Sequence, residues 1–82
     1  MENPILAFRK NKGWSRPEFQ KRSGISYQTL RNLEIGETQR ISIATMEYLT
    51  LAGIGPDIQK RLDEWREEQQ KARRHQAIEG KV

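Results

Sequence analysis

Residues Tyr27 to Asn32 read Tyr-Gln-Thr-Leu-Arg-Asn. Gln28 and Asn32 stand four apart, so on a helix their amides lie one turn from each other on one face. A side-chain amide carries a donor and an acceptor side by side. That pair matches the edge adenine shows in a DNA major groove, where Gln or Asn makes two hydrogen bonds. The Thr29 methyl can meet a thymine methyl, and Tyr27 and Arg31 are long enough for bases or phosphates. The same side chains equally suit an ordinary solvated helix, so the elements that carry them must decide.

Those elements read as two short helices with almost nothing between them. Ser15-Arg16-Pro17-Glu18 is a capping box: the Ser15 hydroxyl can accept from the Glu18 N–H while the Glu18 side chain reaches back. Trp14, just before the cap, is placed as a hydrophobic staple, and Phe19 faces inward. This helix runs to about Ser23. Gly24 then turns the chain, Ile25 plugs the corner, and Ser26 caps a helix at about 26–35 with Leu30 and Leu33 inward. Two helices joined by a three- or four-residue turn containing Gly form a helix-turn-helix, whose second helix enters the major groove. The capped helix starts also suit phosphate oxygens, Ser26 among them.

The rest of the chain is helical in pattern. Asn3-Pro4 starts a first helix with Ile5, Phe8 and Leu6 on its apolar face, and Gly13 ends it. After a loop at 37–41, Ser42 caps a fourth helix with Ile43, Met46, Leu49 and Tyr48 or Leu51 as core candidates. Gly53 closes it and Gly55-Pro56 breaks the chain. A long helix from near Asp57 to Gln76 or beyond follows, with Ile58, Leu62 and Trp65 on one face and helix-stabilising pairs at Asp57/Arg61 and Glu67/Lys71. The fold expected is all-α: a compact bundle of four to five helices with a helix-turn-helix, plus a long C-terminal helix. Residues 1–54 form the DNA-binding domain. Residues 55–76 pack on it, dimerise, or both, and 77–82 form a flexible tail.

Composition narrows the function. The chain has 82 residues, enough for one thin-cored domain, and no cysteine to staple it. Its net charge of +4 favours an anionic partner. Residues 1–54 carry eight basic and five acidic side chains, against seven and six in 55–82, so the excess sits with the helix pair. The start lacks a basic segment before an apolar run, and no apolar run approaches the roughly 20 residues of a membrane span, so the reading is cytoplasmic with no membrane partner. Ser15, Ser23, Ser26 and Ser42 have no base beside them, and His75 is the only histidine, in a polar tail. No enzyme, metal, cofactor or small-molecule substrate is expected.

The segments KGWSRPEFQKRSGISYQTLRNLEIGE and ISIATMEYLTLAGI resemble the Cro/phage-repressor-type helix-turn-helix domain, the xenobiotic-response-element class that includes lambda-like repressors. The resemblance covers about residues 5–54. It implies a sequence-specific transcriptional regulator, a repressor or Cro-like switch protein of a phage or mobile element, binding a palindromic operator in double-stranded DNA as a homodimer. By position, it makes Tyr27, Gln28, Thr29 and Asn32 base-reading residues. It places Arg16 where a phosphate-binding brace stands, Arg40 in a basic loop near the backbone, and Arg9 with Glu34 as a structural ion pair. Given that fold, Arg31 also falls within reach of phosphate. Gln20 departs from a usual Ala, Glu37 and Gln39 from basic residues, Ile35 from a polar one, and Ile41 from a frequent Pro.

Other classes stay open at this stage. The same fold serves as an antitoxin or adaptor that binds a protein partner through its last helix, or as a plain dimerisation module. Ile58, Leu62 and Trp65 suit either a fifth packed helix or a dimer seam. Lys10, Lys12, Lys21 and Arg22 fit a solvated face, and Arg66, Lys71, Arg73 and Arg74 a second basic patch diluted by acids.

Overall fold

Four helices each begin on a side-chain cap and end on a left-handed glycine. In the computed structural model, which describes residues 2–79 and the side chains of 2–73, they are α1 (Pro4–Lys12), α2 (Arg16–Ser23), α3 (Tyr27–Ile35) and α4 (Ile43–Ala52). The caps are Asn3, Ser15, Ser26 and Ser42, each accepting from a first-turn backbone N–H. The fifth helix, α5 (Ile58–Glu79), begins after Asp57, whose carbonyl accepts from the Arg61 N–H. It continues into the segment read as a tail; the side chains of that segment and of His75 lie outside the described residues. The described residues form no strand, so the fold is all-α.

The core sits where α1 to α4 meet the start of α5. Ile5, Phe19, Leu30, Leu33, Leu49, Ile58 and Leu62 are fully enclosed, with Ile25, Ile41 and Ile54 nearly so. Phe8, Trp14 and Phe19 form an aromatic triangle with ring centroids 5.8–5.9 Å apart. The Trp14–Phe19 contact is the staple across the α2 start. Ile58 and Leu62, open between packing and dimerisation in the sequence, are buried against this chain's own core. Trp65 lies against it too, its ring over the C-terminus of α3.

Three expectations are corrected. The capping box is one-sided: Ser15 Oγ accepts from the Glu18 N–H at 3.2 Å, but the Glu18 carboxylate takes Arg22 Nε at 2.7 Å, one turn on. Of the α4 core candidates, Ile43 is 82% exposed and Leu51 84%. Leu49 is the fully buried α4 side chain, and Met46 is half-buried beside the core. The helix is apolar nearly all round, so period alone could not say which face turns inward. Tyr48 is half-exposed, its ring against Gly24 in the helix-turn-helix turn.

Gly36 joins α3 to α5. Its φ of +86° is left-handed, and a Cβ there would lie 2.8–2.9 Å from the Trp65 ring. Replacing Gly36 with Ala should therefore cost more than the ~1–2 kcal/mol of a left-handed backbone alone. Urea denaturation of Gly36→Ala, alone and with Trp65→Leu, measures the excess. A double variant that recovers part of the loss confirms the clash, and a purely additive pair contradicts it.

Candidate nucleic-acid interface

The turn between α2 and α3 is Gly24, Ile25 and Ser26. Gly24 has φ +80° and its N–H bonds the Gln20 carbonyl, ending α2. Ser23 is buried, and its hydroxyl accepts from the Ile25 N–H at 3.1 Å. Ile25 thereby drops into the core and α3 restarts at once on its Ser26 cap.

Beneath α3 lies a buried carboxylate. Glu34 has a side chain only 2% exposed. Arg9, from α1, grips it with Nη2 at 2.8 Å and Nε at 3.0 Å from Oε1, and sends Nη1 to the Trp14 carbonyl at 3.1 Å. Arg16, from α2, reaches the other oxygen with Nε at 3.3 Å. Its Nη1 is 3.4 Å from the Tyr27 hydroxyl, and the guanidinium lies 5.4 Å from the Tyr27 ring centroid. Burial pulls the Arg16 pKa down, but the Tyr27 hydrogen bond and the Glu34 charge outweigh it and leave it raised. Two arginines on one carboxylate leave one positive charge over, at the edge of the α3 face.

Above this base, α3 presents its polar residues outward. Tyr27, Gln28 and Arg31 are exposed and Asn32 is half-buried. Gln28 Nε2 donates to Asn32 Oδ1 at 3.1 Å, which steers both amides. The Gln28 carbonyl oxygen and one remaining Nε2 hydrogen still form a donor–acceptor edge. Thr29 is half-buried. Its N–H and its hydroxyl oxygen are both engaged by Ser26, at 3.2 and 2.8 Å. The Ser26 proton thus points at Thr29, and the Thr29 hydroxyl keeps its own proton to give. Tyr27 and Gln28 N–H remain available at the α3 start, as the first-turn amides of a helix do. The α2 start is poorer, because Pro17 has no N–H and Ser15 takes that of Glu18.

Of the other cations, Arg31 and Arg40 are exposed with no ion-pair or hydrogen-bond partner among the described residues. Lys10 is paired with Glu2, Arg22 with Glu18 and the Trp14 ring, and Lys12 lies over Phe8. Arg40 rides on a loop clipped by Gln59, a residue the sequence did not mark. Gln59 Oε1 accepts from the Ile41 N–H at 2.7 Å, and its Nε2 donates to the Gln39 carbonyl at 3.2 Å. Asn3 was read as a cap only, yet its Nδ2 also donates to the Leu33 carbonyl at 2.9 Å, tying α1 to α3. Such long-range bonds leave no periodic trace in a sequence.

The sequence model of a helix-turn-helix family matches residues 5–47, from α1 into α4. The chain belongs to the Cro/repressor-type helix-turn-helix family. As a member it is a DNA-binding regulator, and α3 is its recognition helix. No curated protein and no solved structure matches the chain. Among the described residues, no helix is long and apolar enough to cross a membrane.

Glu34 carries the highest structural stake in this helix-turn-helix unit. Glu34→Gln removes the carboxylate that the Arg9 and Arg16 guanidinium groups share. It should cost about 3 kcal/mol, near the low end for breaking a buried pair because both arginines keep some contact with water. Denaturant melts of Glu34→Gln and Arg9→Met test this. Equal stability of Glu34→Gln and the parent would contradict it.

Proposed function

We propose that the chain is a sequence-specific regulator that binds a palindromic operator as a homodimer and represses transcription, in the manner of a phage or mobile-element switch. The observation that carries the reading is the Gln28–Asn32 pair, two hydrogen-bonded amides held outward on the recognition helix. A structural module has no use for such an edge, and adenine in the major groove has the matching one. Gln28 reads adenine with its free acceptor and donor. Asn32 holds Gln28 and offers its own amide to the next base. Tyr27 and Thr29 make apolar or hydroxyl contacts at the helix start.

Phosphates position this edge. Arg31 and Arg40, without a partner among the described residues, and Arg16, already aimed by Glu34 and Tyr27, each neutralise one phosphate. The Ser26-capped N-terminus of α3 adds the Tyr27 and Gln28 amides. A two-fold dimer sets two such helices into successive major grooves, with half-site centres about 10 bp apart. Against the antitoxin or adaptor alternative, Ile58 and Leu62 are buried in the chain's own core, and Trp65, the residue a partner would bury, lies partly buried against Gly36.

Two variants separate reading from positioning. Gln28→Ala should cost about 1–3 kcal/mol and relax preference at one base pair. Arg31→Ala should weaken binding to every sequence and lower the slope of log affinity against log salt by about 1. Titrations over a panel of single-base operator variants at several salt concentrations decide. Unchanged preference in Gln28→Ala contradicts direct readout. A loss confined to one base pair in Arg31→Ala contradicts its phosphate role.

A further inference from the structure

Charge on α5 is sorted by side. Arg66, Gln69, Gln70 and Arg73 follow i, i+3, i+4, i+7 spacing and so share one face. Glu64, Glu67, Glu68 and Lys71 follow the same spacing two residues earlier, about 200° round the helix, on the opposite face. The structure agrees with the spacing. The first set opens, with Trp65, onto a cleft at the end of α3, and the second onto a separate surface groove. The acids that dilute this basic patch in the sequence therefore stand behind it. Lys71 stands with them, paired to Glu67 at 3.6 Å.

The cleft, of about 270 Å³, lies between the Arg66 face and Ile35 and Gly36 at the end of the recognition helix. Ile35 is half-exposed and stands seven residues after Gln28, so it continues the outward line of Gln28 and Asn32. The α5 face thus borders the far end of the face that α3 turns outward. Two contacts hold it there: the Trp65 ring over Gly36, and Arg66 Nε donating to the Gly36 carbonyl at 3.3 Å. The second also offsets the negative end of α3, which would otherwise repel an anion. Glu34 borders the cleft too, but its carboxylate is already held by Arg9 and Arg16. Arg73 is exposed, with no ion-pair or hydrogen-bond partner among the described residues.

We infer that this face of α5 binds DNA backbone phosphates beside the groove that α3 enters, with Arg73 and the Arg66 Nη groups as the cations and Gln69 and Gln70 as neutral donors. The inference rests on the reading of α3 as the DNA-facing helix. At a rise of 1.5 Å per residue, the two arginines stand about 10 Å apart along α5. A lone small anion would answer one of them, whereas a nucleic-acid backbone offers charges in series. DNA seated on α3 also brings its backbone to this edge. Phosphates carry no sequence information, so the contact adds affinity without adding preference.

Binding titrations of the full chain over a range of salt test this on two duplexes of equal length, one recovered from a random pool and one with that sequence scrambled. Arg73→Ala should weaken binding to both on the order of fivefold at about 0.1 M salt and lower the slope of log affinity against log salt by about 1. Gln70→Lys should strengthen both and raise the slope by about 1. Lys71→Ala removes the same charge from the acidic face and should leave the slope unchanged. All three positions are exposed, so circular dichroism should show unchanged folding. An Arg73→Ala protein with the parent's affinity and slope, or a Lys71→Ala protein that loses as much as Arg73→Ala, overturns the proposal. The parent's preference between the two duplexes is a separate readout. Its absence contradicts base reading by α3, while an equal Arg73→Ala loss on both duplexes still upholds the α5 contact.

Discussion

Everything on the recognition face rests on one buried carboxylate. Glu34 sits on the inner side of α3, and the groups that neutralise it come from α1 and α2. A charge so enclosed cannot stay unpaired, since the penalty would exceed much of a small domain's stability. The three helices must therefore hold the one arrangement in which Arg9 and Arg16 both reach it. An apolar core tolerates small slides of one helix over another, but a bidentate guanidinium–carboxylate contact does not. The Arg9 bond to the Trp14 carbonyl extends the constraint into the turn between α1 and α2. The Asn3 amide repeats it at the other end of α1, on the Leu33 carbonyl.

The same cluster connects structure to chemistry. Arg16 is a brace on its Glu34 side, and on its Tyr27 side it borders the face proposed to meet DNA. Its cost of ordering is met in the free protein, so the phosphate proposed to bind there would meet a cation already in position. Gln28 and Asn32 are ordered in the same way by each other. Ser26 and Thr29 lock the first turn beneath them. The face is thus set by hydrogen bonds between polar neighbours, each still holding unused donors or acceptors toward solvent.

How much of this could be read from the chain differs by kind of interaction. Local chemistry was legible. Asn3, Ser15, Ser26 and Ser42 act within four residues of themselves, and the glycines that end α1 to α4 act on their own backbone. The amides of α3 could be placed on one side of a helix by spacing alone. The orientation of α4 could not, because Ile43, Met46, Leu49 and Leu51 offer apolar atoms in every direction. Tertiary contacts decided that Leu49 points in and Leu51 out. The Gln59 clip, the Asn3 bond to Leu33 and the Trp65 ring over Gly36 join residues 18 to 30 positions apart, and no local pattern announces them. Gln20, which the sequence flagged as a departure at the α2–α3 contact, is exposed, and its carbonyl accepts from the Gly24 N–H.

The central claim is that this surface reads a symmetric DNA sequence, and selection of bound duplexes from a random pool at two salt concentrations tests it most directly. The account predicts a palindromic consensus with half-site centres about 10 bp apart, adenine at the position facing Gln28, and affinity that falls steeply as salt rises. Recovery of duplexes with no consensus at either salt concentration would contradict it.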